Sequence, residues 1–161
     1  MILQNEREDL EVFSFIFGLC FGSFLNVLIL RLPLNQSILT RSACPNCKHT
    51  IYWYHNIPLF SYLFLRGKCA YCKTKISFEY FLVEFITGFI TLALYLKLGL
   101  TQEAMFMCLL SYVLITLSFI DFKYKAVPDY LLLLVLIISF FASELSIIES
   151  FKNAFLFSGA F

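Results

Sequence analysis

The sequence predicts an all-α membrane protein whose helices cross the bilayer several times. Its 161 residues are 60% hydrophobic and 14% charged, against roughly 45–50% and about 25% in ordinary soluble domains. A domain of this size has one core, so the excess apolar surface is expected to face lipid. The net charge of +1 gives no indication of a nucleic-acid partner.

Four apolar runs approach the roughly 20 residues with which a helix crosses the hydrocarbon core of a bilayer. They cover residues 12–32, 81–100, 104–120 and 130–148. None of these runs shows the alternation of apolar and polar residues that is typical of a barrel strand. Because lipid requires every backbone polar group to be bonded internally, each run is expected to be a helix. A fifth run, residues 151–161, predicts a partial fifth helix.

Charge placement predicts the orientation of these spans. Seven basic residues and no acidic residue occur from the last turn of the first span up to Glu79: Arg31, Arg41, Lys48, Arg66, Lys68, Lys73 and Lys75. Because basic loops stay in the cytoplasm, residues 33–80 are expected to form a cytoplasmic insertion. An external N-terminus (1–11) and a first span (12–32) precede it, and a membrane domain (81–161) follows.

Four of the six cysteines form two CxxC pairs in this insertion. They are Cys44, Cys47, Cys69 and Cys72. Two CxxC turns complete the tetrahedral thiolate shell of a structural Zn²⁺ site, although the 21 residues between the pairs slightly exceed the usual separation. Disulfides, redox-active thiols and unpaired thiols are the alternatives, and a reducing compartment disfavours the disulfides.

Three acidic residues lie where a membrane makes charge costly. Asp121 ends the third span, at a helix C-terminus where the helix dipole disfavours negative charge, so a functional role is expected. Asp129 follows Pro128 and can be explained as a cap of the fourth helix. Glu84 lies inside the second span and needs a polar partner, which Thr87 or a basic residue of the loop is expected to supply. A supporting role at the site and a structural one are both open.

Five stretches match one family in order and spacing, and this sequence resembles the type IV prepilin peptidases. The stretches are GSFLNVLILRLP (22–33), SACPNCKHTI (42–51), NIPLFSYLFLRGKCAYCKTKIS (56–77), LVE (82–84) and FIDFKYKAVPD (119–129). The resemblance implies a bacterial inner-membrane aspartic peptidase that cuts leader peptides from prepilins and pseudopilins on the cytoplasmic side. It also implies methylation of the new N-terminus from S-adenosylmethionine in many members.

The resemblance further implies residue roles. One catalytic aspartate falls on Asp121, the second belongs to a GxGD motif on a later helix, and the paired CxxC motifs hold the metal. No GxGD occurs in these 161 residues. We therefore expect a fragment, a truncated product or a degenerate copy that is inactive alone. Two other classes remain open: a noncatalytic zinc-containing scaffold of a pilus or secretion system, and a membrane thiol oxidoreductase.

Overall fold

The computed structural model describes residues 2–125 and 127–141, and within them the all-α prediction is confirmed. The helices are α1 (Ile2–Arg31), α2 (Phe60–Phe64), α3 (Phe78–Leu98), α4 (Gln102–Tyr124) and α5 (Asp129–Phe141). Short 3₁₀ turns follow α1 at Leu32–Leu34 and precede α2 at Trp53–His55.

Three of these helices, α1, α3 and α4, are long and apolar enough to cross a membrane. The chain is therefore a multi-pass membrane protein. The described part of α5 ends at residue 141, and the rest of the predicted fourth span (130–148) lies outside the described residues. The predicted partial fifth helix (151–161) lies outside the described residues.

The helices α1 and α3 both begin before the predicted spans. The helix α1 starts ten residues before residue 12, since Leu, Gln, Glu and Arg are good helix formers that extend a helix beyond the membrane. The helix α3 starts at Phe78, where the hydroxyl oxygen of Ser77 accepts a hydrogen bond from the Glu79 N–H at 3.3 Å. An apolar run locates the membrane segment of a helix, whereas capping residues set its ends.

Small residues allow α1 and α3 to pack closely. A Cβ added at Gly22 would lie 2.7 Å from the Glu84 Cα, and one added at Gly88 would lie 2.6 Å from Leu19 Cδ2. Side chains at these positions would separate the helices. This is the usual way in which membrane helices gain close packing without a hydrophobic driving force.

The helix α4 packs against this pair around a core that includes fully buried Val83 and Ile120. Within the core, the Thr91 hydroxyl and the Tyr112 hydroxyl are hydrogen-bonded at 2.7 Å, which joins α3 to α4. Buried Thr87 and Thr116 donate to carbonyl oxygens one turn earlier in their own helices. Their polar groups are therefore satisfied without water.

Polar contacts bring the ends of three helices together. The Asn26 side chain donates to the Tyr80 carbonyl at 3.0 Å, joining α1 to α3. The Lys123 ammonium lies 3.2 Å from a Glu79 carboxylate oxygen, joining α4 to α3. The cysteine insertion and the connection between α4 and α5 therefore lie at the same end of the helices.

Candidate functional site

The four CxxC cysteines come together in one cluster. The sulfurs of Cys44, Cys47, Cys69 and Cys72 all lie within 4.8 Å of one another. The Cys44 and Cys72 sulfurs are 3.7 Å apart, close to the edge of about 3.8 Å expected for four sulfurs around Zn²⁺ at about 2.3 Å each. All six cysteines of the chain are free thiols, and this donor set fits a tetrahedral metal ion.

The two CxxC turns have the same backbone structure, offset by 25 positions. In the first, the Cys44 N–H donates to the His49 carbonyl and the Lys48 N–H donates back to the Cys44 carbonyl. In the second, Cys69, Thr74 and Lys73 make the same two bonds. Lys48 and Lys73 both have positive φ, 59° and 58°. We call these turns knuckle 1 (residues 42–51) and knuckle 2 (residues 67–76).

Side chains join the two knuckles beside the sulfurs. The Asn46 amide of knuckle 1 donates to the Thr74 hydroxyl of knuckle 2 at 2.8 Å. The same hydroxyl oxygen lies 3.3 Å from the Cys72 sulfur. Thr74 therefore contacts both the Cys72 sulfur and the other knuckle, as side chains that orient metal ligands do in proteins.

The thiols differ in their pKa values. Hydrogen bonds from the side chain and backbone of Thr74 lower the pKa of Cys72 to about 5. The backbone N–H of Cys47 lowers the pKa of Cys44. At Cys47, the His49 backbone N–H acts to lower the pKa, but desolvation and the neighbouring cysteines raise it to about 11. Without a cation, repulsion between neighbouring thiolates opposes the ionisation of all four cysteines. A bound divalent metal would favour the ionised forms.

The other candidate donors lie outside this cluster. Cys20 is exposed on α1 and Cys108 is half-buried on α4. The His49 ring packs on Tyr71, with ring centroids 3.7 Å apart. The His55 ring packs on Tyr54 at 4.5 Å, and its buried Nδ1 has no hydrogen-bond partner among the described residues.

Asp121 and Asp129 lie on either side of the connection between α4 and α5. Asp121 is exposed in the last turn of α4, and its carbonyl accepts the Lys125 N–H at 2.9 Å. Asp129 is the first residue of α5, where the helix dipole favours its charge, and the Pro128 carbonyl accepts the Leu131 N–H. Both residues are exposed, at the end of the helices that carries the cysteine insertion.

Glu84 has the polar partner that its position requires, but the expected partners were wrong: the Thr87 hydroxyl donates to the Val83 carbonyl instead, and the described residues contain no ion pair to Glu84. Its carboxylate accepts the Leu59 backbone N–H at 2.8 Å, although Glu84 is only 9% exposed. Leu59 has φ 59° and ψ −49°, an unusual conformation for a bulky residue. No periodicity or spacing could have predicted this contact, because it joins a loop to a helix 25 positions away.

A cavity of about 520 Å³ separates the cysteine insertion from the ends of the helices. Glu84 and Asn26 line it from the helices, and Tyr62, Tyr71 and His55 line it from the insertion. Its volume lies within the range of about 300–1,000 Å³ that is common for small-molecule sites. The cavity offers a ligand aromatic surfaces, one carboxylate and the basic side chains of Arg31, Arg41 and Lys48.

Comparison with known proteins gives one consistent result. The Bacterial Peptidase A24 N-terminal domain matches residues 16–98. A prepilin leader peptidase/N-methyltransferase of Myxococcus xanthus is 48% identical over 73% of this chain and 35% of its own length. Proteins of the same name from Vibrio cholerae (39% identical, 76% of this chain and 51% of the relative) and Pseudomonas aeruginosa (34%, 92% and 59%) are also similar.

The chain thus spans between about a third and three fifths of the length of these relatives. No solved structure matches it.

Proposed function

Because the chain belongs to the family of bacterial A24 peptidases, we propose that it acts in a membrane endopeptidase that removes the leader peptides of type IV prepilins and pseudopilins. The family match over residues 16–98 carries this proposal. The motif FIDFKYKAVPD (119–129), quoted above for its resemblance to the same family, supports it.

The proposed chemistry is that of an aspartic peptidase with Asp121 as one of two catalytic carboxyl groups. One carboxylate takes a proton from the attacking water while a protonated partner donates to the carbonyl oxygen of the cleaved bond. The exposure of Asp121 in the last turn of α4 supports this role, because a catalytic carboxyl group has to be accessible to its substrate. The resemblance assigns the partner to a GxGD motif, which these 161 residues do not contain.

The experiment is prepilin cleavage by this chain joined to the GxGD-containing segment of a relative such as that of Myxococcus xanthus. We expect cleavage by the joined protein, and a loss of roughly 10²–10⁴-fold or more with Asp121→Asn. Asp129→Asn is the matched control, since it removes an exposed carboxylate of the same connection, and it should keep most of the activity. Equal losses in the two variants, or unchanged cleavage by Asp121→Asn, would reject Asp121 as the catalytic group.

We propose that Cys44, Cys47, Cys69 and Cys72 hold a structural Zn²⁺. The mutual sulfur distances and the matching knuckles support this. A closed four-thiolate site leaves no position for substrate, so the metal would join the knuckles and contribute folding free energy rather than chemistry.

The insertion and Asp121 are proposed to face the cytoplasm of a bacterial inner membrane. The seven basic residues between Arg31 and Lys75 support this orientation. A reporter enzyme fused after Ile51 should behave as cytoplasmic and one fused after Leu100 as external. The reverse pattern would contradict the proposal and make a redox role for the thiols worth testing.

The relatives' names also include N-methyltransferase, and we propose that the cavity holds the methyl donor S-adenosylmethionine. When bound, this molecule supplies a methyl group to the new N-terminal amine. Tyr62 and Tyr71 line the cavity and can stack on an adenine ring. Binding of the labelled donor should fall with Tyr71→Ala and persist with Tyr52→Ala; unchanged binding in both variants would remove the cavity from consideration.

A further inference from the structure

The segment of residues 57–64, which includes α2, lies beside a membrane-spanning helix instead of beyond its end. The Leu59 N–H donates to the Glu84 carboxylate, and Glu84 is six residues into α3. At about 1.5 Å per residue, Glu84 lies roughly 9 Å along the helix axis from Phe78. The hydrogen bond therefore holds Leu59 beside the first turns of α3, within the length of one side chain from that level.

That level is inside the hydrocarbon region. The helix α3 has 21 residues, a length of about 32 Å against a hydrocarbon core of about 30 Å. Nearly the whole helix is needed to cross, so a residue 9 Å from its start by the same estimate lies below the polar surface. A backbone segment that accompanies Glu84 is at membrane depth as well.

The backbone of this segment satisfies the condition that such a position imposes. In the hydrocarbon region each backbone N–H needs a partner from the protein. Pro58 has no N–H, and the Leu59 N–H is bonded to Glu84. The Phe60 N–H donates to the Pro58 carbonyl at 2.7 Å and the Ser61 N–H to the Ile57 carbonyl at 3.0 Å. Over residues 58–61, where the chain enters α2, every backbone N–H therefore has a partner within the protein.

Of the five side chains of α2, one packs on α3 and three apolar ones are uncovered. Tyr62 packs on Phe78 and Phe81 of α3, with ring centroids 6.2 and 5.5 Å apart. Phe60, Leu63 and Phe64 are 65%, 62% and 91% exposed. A soluble surface rarely shows three such neighbouring apolar side chains without an occupant.

The surface beside Phe60, Leu63 and Phe64 indicates which kind of molecule covers them. Along α3, the rings of Phe81, Phe85 and Phe89 form a stacked row with centroid separations of 6.2 and 6.5 Å. Phe85 and Phe89 are 44% and 58% exposed on a helix that crosses the membrane, where lipid chains cover such side chains. Tyr62 connects α2 to the first ring of this row. The apolar surface of α2 therefore continues a surface that faces lipid.

Charge at the end of α2 agrees with this placement. Arg66 and Lys68 are exposed and follow α2 directly. Long basic side chains at a membrane edge keep their charged ends at the level of the lipid headgroups, where anionic phosphates attract them.

We propose that residues 57–64 form a re-entrant segment in which Phe60, Leu63 and Phe64 insert among the lipid chains, anchored by the hydrogen bond from Leu59 to Glu84. The cysteine insertion is then attached to the bilayer at two places, through the spans and through α2. Glu84 is a positioning residue for this segment. The proposal goes beyond the proposed peptidase function and does not depend on it.

The test measures contact between residue 64 and lipid chains in the full chain. The single tryptophan, Trp53, is changed to Phe, and Phe64→Trp then places one fluorophore at a 91% exposed position. The protein is reconstituted into phosphatidylcholine–phosphatidylglycerol vesicles with or without brominated acyl chains. We expect blue-shifted emission that brominated lipid quenches at least twofold.

Tyr52→Trp in the same background is the matched control, because Tyr52 is 47% exposed and packs on Tyr54 of the insertion. It should remain unquenched by brominated lipid. Unquenched emission at residue 64 would overturn the proposal, whether red-shifted as in water or blue-shifted as under another protein surface. Equal quenching at residues 52 and 64 would also overturn it.

A second pair of variants tests the anchor. Glu84→Gln keeps an acceptor for the Leu59 N–H, whereas Glu84→Leu removes it. We expect quenching of the tryptophan at residue 64 to persist in the first and to fall by half or more in the second. Equal quenching in the two variants would reject the anchoring role of Glu84.

Discussion

The cysteine insertion and the connection between α4 and α5 lie at the same end of the molecule but differ in how much of a site each contains. The insertion brings all four of its proposed ligands within 4.8 Å of one another. The connection presents Asp121 as an exposed carboxylate, whose proposed partner belongs to a motif that these residues do not include. A site built from two short turns assembles locally, whereas a pair of carboxylates requires two distant helices to meet.

The largest expected effect is on zinc binding, and it distinguishes the cysteine insertion from the connection between α4 and α5. Cys44→Ser should abolish stoichiometric zinc binding, because three sulfurs close a tetrahedral site poorly. Asp121→Asn should retain the full zinc content, because Asp121 is outside the cluster. Metal analysis of the reduced protein in detergent measures both, with Cys20→Ser as a control for loss of a thiol. Zinc loss in Asp121→Asn would show that the two regions do not assemble independently.

A smaller effect is expected from the side chain that supports the ligands. Thr74→Val removes the hydroxyl that contacts the Cys72 sulfur and the Asn46 amide. Zinc affinity should fall by about 10–100-fold, the usual cost of losing an outer-shell partner. Competition with a zinc chelator measures the affinity, and Thr50→Val in knuckle 1 is the control. An affinity unchanged by Thr74→Val would mean that the metal site does not depend on the contact between the knuckles.

The smallest effect concerns the ion pair that joins α4 to the start of α3. Lys123 and Glu79 are 33% and 39% exposed, and such pairs contribute at most about 1 kcal/mol to the free energy of unfolding. A double-mutant cycle with Lys123→Ala and Glu79→Gln should give a coupling within that limit, decreasing with salt. A salt-independent coupling of several kcal/mol would show that the pair is held in a much less polar environment.

The features that could be predicted from sequence are those with a local cause. Apolar runs located α1, α3 and α4, because lipid leaves a helix as the only solution for such segments. CxxC spacing located the four cysteines, because each turn places two sulfurs side by side.

The features that could not be predicted depend on residues far apart in the chain. The helix α2 has only five residues, too few for a periodic pattern. The contact between Leu59 and Glu84 arises only when the insertion folds back onto α3. Thr74 joins the two knuckles because its hydroxyl accepts a hydrogen bond from Asn46, which lies 28 positions earlier. In each case the partner is chosen by tertiary packing.

Zinc K-edge absorption spectroscopy of the reduced protein tests most directly whether the insertion is a complete site. If the four cysteines hold the metal, the first shell will contain four sulfur atoms at about 2.3 Å. Nitrogen or oxygen ligands at about 2.0–2.1 Å, or protein that purifies without zinc under reducing conditions, would contradict it.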